Sequence, residues 1–167
     1  MAGFAQTGRV TRKGRPSVPD AWKLFLRGHS AITRQMDADL ISSHGLTLSD
    51  YEVLLRLSQA PDRRMRRVDL AQGVLLTQSG ITRLLAGLEK AGWVDRAGCD
   101  TDRRVVYAQL TESGYAKLRE AAATHLEGIR TLFADRFSEE ELDTLARLLG
   151  RLEGSAGEEE CAPDGAA

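Results

Sequence analysis

The sequence predicts a mainly α-helical fold with one small β-hairpin, and two observations carry that prediction. Apolar residues recur at three- and four-residue steps through most of the 167-residue chain. Only between Gly92 and Thr111 does the period fall to two. The apolar share of 42% is enough for one core of ordinary domain size. No apolar run nears the roughly 18 residues that a membrane helix needs, so no membrane span is expected.

Trp22, Phe25, Leu26, His29, Ile32, Met36 and Leu40 form the stripe of a first helix that ends near Ser43 and Gly45. Thr47 or Ser49 caps a second helix, with Ser49 to Glu52 fitting a capping box. Its stripe is Val53, Leu54 and Leu57, and Pro61-Asp62 stops it. A short third helix is expected from Val68 to Leu75, and Thr77 is a good cap for a fourth, whose inner stripe is Ile81, Leu84, Leu85 and Leu88. Gly92 suits the left-handed turn that closes it. Trp93 to Arg96 and Val105 to Leu110 read as two strands, joined by the polar loop from Ala97 to Arg104. A long helix follows from Thr111, with Leu118, Ala122, Leu126, Ile129, Leu132 and Phe133 on one side. Ser138 caps the last helix, whose stripe is Leu142, Leu145, Leu148, Leu149 and Leu152.

The net charge of −1 conceals an asymmetry. Arg9, Arg12, Lys13 and Arg15 face no acidic residue in a basic tail, 1–19, while 153–167 is an acidic tail; both lack apolar periodicity and are expected to be disordered. Between Arg63 and Arg104, nine basic residues stand against five acidic ones, and a local excess matters more to a polyanion than the total. The basic N-terminus lacks an apolar stretch after it, so no secretory signal is expected and the chain reads as cytoplasmic. Cys99 and Cys161 cannot make a disulfide framework or a zinc site. His29, His44 and His125 lack the partners of a catalytic or metal cluster, so neither an enzyme nor a cofactor is expected.

Two short helices joined by a tight turn and followed at once by a hairpin describe a winged helix-turn-helix. A helix fits the major groove and aims its first turns at base edges, while a basic hairpin reaches the neighbouring backbone or minor groove. Gln78, Ser79, Thr82 and Arg83 give the fourth helix a hydrogen-bonding outer face, and Gly80 allows close approach. Arg83 suits guanine O6 and N7, and Gln78 suits adenine. An ordinary solvated helix face is the alternative for each residue singly.

Val68-Asp69-Leu70-Ala71, the run from Thr77 to Leu85, and Leu88 to Val94 together resemble the DNA-binding core of MarR-type regulators. The loop Asp100-Thr101-Asp102-Arg103-Arg104 is similar to that family's wing and its Asp-x-Arg signature. The resemblance spans about residues 22 to 152. It implies a homodimeric transcription factor on double-stranded DNA, most commonly a repressor at a palindromic operator. It also implies that Asp102 holds Arg104 for the minor groove and frees Arg103 for phosphate. One domain, 20–152, then divides into a DNA-binding lobe at about 47–110 and dimerisation helices at about 20–43 and 111–152.

Many such regulators bind small phenolic, purine or carboxylate ligands between the lobe and the dimer helices. Trp22, His29, Tyr51 and Asp69 are the candidate effector residues, and Trp22 with Asp69 looks like the urate-responsive branch. Tyr115, where that branch uses arginines, departs from it. Each candidate has an alternative: Trp22, Tyr51 and His29 as core residues, and Asp69 as the ion-pair partner of Arg66 or Arg67. Two further readings stay open, a winged helix serving only protein interaction and a redox sensor using Cys99 in the wing.

Overall fold

The computed structural model describes residues 16–74, 76–98 and 106–153. Its order is α1 (Val18–His44), α2 (Leu48–Gln59), a single 3-10 turn (Pro61–Arg63), β1 (Arg64–Arg66), α3 (Arg67–Gly73), α4 (Gln78–Lys90), β2 (Val94–Gly98), β3 (Val106–Leu110), α5 (Glu112–Ile129), a π turn (Arg130–Ala134) and α6 (Glu139–Glu153). The mainly helical class with a winged helix-turn-helix is what the patterning predicts.

Most boundaries follow from caps. Ser17 and Asp20 make a capping box with Pro19 in the first turn, so α1 opens at Val18, inside the segment expected to be tail. The second capping box is Thr47 with Asp50, not Ser49 with Glu52. Thr47 Oγ1 and the Asp50 carboxylate satisfy each other's backbone amides, and Asp37 of α1 accepts the Leu48 amide at 2.7 Å. Gly45 and Gly92 adopt φ of 67° and 74°, the left-handed closures of α1 and of the turn after α4. Ser138 caps α6 through the Glu141 amide. At the other end α6 runs through Glu153, the first residue of the expected acidic tail.

The hairpin acquires a third strand that patterning did not predict. The antiparallel order is β1-β3-β2, with Met65 opposite Ala108 and Gly98 opposite Val106. A three-residue strand with arginine at both ends offers no alternating apolar signal; only pairing with β3 makes it a strand. Strand β2 starts at Val94, since Trp93 spends its amide on the Leu88 carbonyl in the turn.

One core unites α1, α2, α3, α4, the sheet and α5: Leu40, Leu46, Leu54, Leu57, Leu70, Ile81, Leu85, Leu88 and Val94 are buried almost completely. Helix α6 has no buried residue in a single chain and packs mainly on the π turn before it. No helix among the described residues is long and apolar enough to cross a membrane. The tails 1–15 and 154–167, Leu75 at the expected end of the third helix, and Cys99 to Val105 of the wing lie outside the described residues.

Candidate nucleic-acid interface

Helix α4 is mounted by three faces of its own sequence. Ile81, Leu85 and Leu88 anchor its inner side in the core. The Thr77 hydroxyl accepts the Gly80 amide at 3.1 Å and closes the N-terminus. Arg67 of α3 donates to Glu89 in a half-buried ion pair, which fixes the angle between the two helices of the turn motif. The opposite side carries Gln78, Ser79, Thr82 and Arg83, all exposed.

These side chains are not equally free. Thr82 Oγ1 donates to the Gln78 carbonyl at 2.7 Å, so its methyl and remaining lone pairs are what it presents outward. Ser79 Oγ lies 3.1 Å from Thr77 Oγ1. Arg83 is exposed and makes no ion pair among the described residues, which leaves its guanidinium fork open for a bidentate acceptor. Gly80 has a local reason to be glycine: a Cβ there would sit 3.2 Å from Thr77 Oγ1, against the cap itself.

The base of the wing is tied to this platform on two sides. Behind it, the Trp93 carbonyl accepts the Thr111 amide at 3.1 Å, and the Gly92 carbonyl accepts the Thr111 and Ser113 hydroxyls at 2.8 and 2.7 Å. On its face, Arg64 of β1 crosses β3 with its guanidinium 4.0 Å above the Tyr107 ring and donates Nη2 to the Gly98 carbonyl at 2.8 Å. In the sequence Arg64 is only one charge of a basic stretch; its position depends on the unpredicted strand. Exposed Lys90 and Arg96 add positive charge at the end of α4 and in β2. Asp102, Arg103, Arg104 and Cys99 of the wing tip lie outside the described residues.

The four effector candidates are not brought together in one chain. Tyr51 is buried and stacks on His125 at 4.2 Å between ring centres, and burial pushes its phenol up from the usual value. Asp69 takes both Nε and Nη2 of Arg66 at 2.7 and 3.1 Å, the local pairing open to it from sequence. Trp22, 59% exposed, stacks loosely on Phe25, and His29 is exposed on the same outlying stretch of α1. Neither is a core residue in a single chain.

The seam between the end of α1 and α5 holds polar groups that the sequence did not single out. His44 Nε2 lies 2.8 Å from Thr124 Oγ1 and Nδ1 lies 3.3 Å from Glu120 Oε1. The bond to His44, then Lys117, holds the Glu120 carboxyl below the usual range. Among the described residues no group of His, Cys, Asp and Glu is placed to hold a metal ion.

A sequence model of the MarR family matches residues 44–105. PecS of Dickeya dadantii (strain 3937), an HTH-type transcriptional regulator, is 34% identical over 161 residues, 92% of this chain and 96% of that protein. YetL of Bacillus subtilis (strain 168), an HTH-type transcriptional repressor, is 32% identical over 111 residues, 66% of each chain. Among solved structures, Sco3205, a MarR family transcriptional regulator from Streptomyces coelicolor in complex with DNA, aligns with a TM-score of 0.79 at 27% identity, covering 90% of this chain and 95% of that one. The platform of α3 and α4, the sheet beside it and these likenesses together place the chain in the MarR family, as a DNA-binding transcriptional regulator rather than an enzyme.

Proposed function

We propose that the protein is a cytoplasmic repressor that binds a palindromic operator as a homodimer and is released from it by a small anionic or aromatic ligand. The observation that carries the reading is the exposed polar start of α4, Gln78, Ser79, Thr82 and Arg83, on a helix whose other side is locked into the core. In the major groove Arg83 reads guanine and Gln78 reads adenine, while Ser79 and Thr82 make shorter contacts and Gly80 keeps the helix close. In the wing, Asp102 orients Arg104 into the minor groove and Arg103 meets phosphate. YetL, a repressor, supports the sign of regulation.

The dimer reading rests on uncovered apolar surface. Leu126 is 62% and Leu152 58% exposed, and Trp22, Phe25, Leu148 and Leu149 are also open. Ile129, Phe133, Leu142, Leu145 and Leu149 line an almost wholly apolar groove of about 460 Å³ between the end of α5 and α6. Surface of this kind is characteristic of an interface between subunits. The chain thus divides into a DNA-binding lobe at about 47–110 and dimerisation helices on either side. Two copies of α4 then reach successive turns of one duplex face.

Selection from random duplexes, followed by affinity measurement at several salt concentrations, tests the reading. It expects an enriched inverted repeat whose affinity falls steeply with salt. Recovery of no preferred sequence, with affinity insensitive to salt, would instead mark a protein-interaction module.

A further inference from the structure

A cleft of about 410 Å³ opens between the end of α2, β1 and the start of α3, apart from both α4 and the groove of α6. Arg56, Arg64 and Arg66 line it, with Asp69 as its carboxylate and Pro61, Met65 and Tyr107 among its walls. Asp69 is committed to Arg66 through two hydrogen bonds, so the charges of Arg56 and Arg64 stand without an ion pair among the described residues. Arg64 is the unusual member. Its Nη2 bonds the Gly98 carbonyl, its plane covers Tyr107, and its Nε is buried with no hydrogen-bond partner among the described residues. A buried, unbonded N–H on a cation is costly, and a carboxylate is the acceptor whose geometry matches the guanidinium edge.

We propose that this cleft binds a small organic carboxylate, held by Arg56 and Arg64, and that the wing registers its occupancy through Arg64 and Gly98. The apolar walls favour an acid with an organic body over a bare phosphate. Because Nε is covered, a carboxylate engages it only when the guanidinium swings off Tyr107 into the cleft. That swing lifts Nη2 from the Gly98 carbonyl, the last described residue of β2 before the wing loop. The wing then loses its tie to β1 while α4 keeps its own supports, the Thr77 cap and the Arg67–Glu89 pair. The inference rests on the ligand-release reading above and gives that reading a site and a route.

The test uses the full-length, ¹⁵N-labelled protein, with benzoate as the probe and benzamide as its uncharged analogue. Saturable shifts of the Arg64 Nε–H and Gly98 amide resonances with benzoate, absent with benzamide, support the site. Arg64→Gln should abolish the Gly98 response. Arg56→Gln, an exposed position outside the Gly98 tie, should weaken benzoate about tenfold while leaving the unliganded Gly98 resonance in place. Equal shifts with benzamide, no shift at either resonance, or tighter binding of inorganic phosphate than of benzoate would each overturn it. Operator affinity measured in parallel separates the two layers. Shifts with unchanged operator affinity support the site and contradict release by ligand; lost affinity without shifts overturns the site and leaves release to another one.

Discussion

Gly114 lies against the backbone of Trp93 so closely that a Cβ there would sit 2.0 Å from the Trp93 carbonyl oxygen and 2.8 Å from Leu110 Cδ1. This contact joins the first turn of α5 to the turn that links α4 to β2. The Thr111 amide and the Thr111 and Ser113 hydroxyls bond carbonyls of the same turn. The recognition helix and the long helix behind it therefore meet at a point with no spare room.

Gly114→Ala should destabilise the protein by about 3 kcal/mol, since backbone rather than a flexible side chain must move. Urea unfolding checks it. Gly87→Ala is the control, because a Cβ on Gly87 meets nothing within 4 Å and this position sits mid-helix in α4, so that change should be neutral or slightly stabilising.

His125 gives stability a pH dependence of definite sign. Burial lowers its pKa from the usual 6.5, with the ring stacked on Tyr51 and Nδ1 buried without a partner among the described residues. The unfolded chain therefore binds the proton first, so the contribution is complete above the ordinary imidazole value and is lost as pH falls through it toward the folded pKa. Glu120, also lowered, acts on a lower range around the ordinary carboxyl value. Between about pH 8 and about pH 5.5 the Tm should drop by a few degrees. His125→Phe, which keeps the stack and removes the proton site, should flatten that drop. A Phe variant with the same slope would assign the dependence to another group.

Charge placed in the α6 groove tests the dimer. Leu145→Arg places a second guanidinium, beside Arg130, in the groove lined by Ile129, Phe133, Leu142 and Leu149, the dimer seam proposed above, and should weaken association at least a hundredfold, about 3 kcal/mol. Sedimentation equilibrium reads it. A variant that stays dimeric at low micromolar concentration would show that α6 is not the seam.

The legibility of this chain followed a physical division. Thr77, Gly92 and Ser138 are readable because a cap or a left-handed turn is a local bond between near neighbours. The exposed set Gln78, Ser79, Thr82 and Arg83 was readable because helical periodicity alone fixes which side of α4 faces the core. Strand β1 was not, because Arg64 to Arg66 become a strand only through β3, more than forty residues away. Everything that depends on that strand was hidden with it: the Arg64 tie to Gly98 and the arginine cleft. Only family likeness groups Trp22, His29, Tyr51 and Asp69; the single chain holds Tyr51 in the α2–α5 seam, Asp69 beside Arg66, and the other two on open surface.

The division of labour between α4 and the wing is tested most directly by competition among single-base operator variants, at two salt concentrations, for Arg83→Ala and Arg104→Ala. Arg83 projects from the exposed side of the recognition helix and makes no ion pair among the described residues, so its loss should cost roughly 1–3 kcal/mol of discrimination per half-site and relax preference at one position. Arg104→Ala should weaken binding to every variant, lower the salt dependence and leave the ranking nearly unchanged, because a narrow minor groove offers potential but little base code. Asp102→Ala should follow Arg104→Ala in part. Full discrimination retained by Arg83→Ala, together with its loss in Arg104→Ala, would contradict base reading by α4.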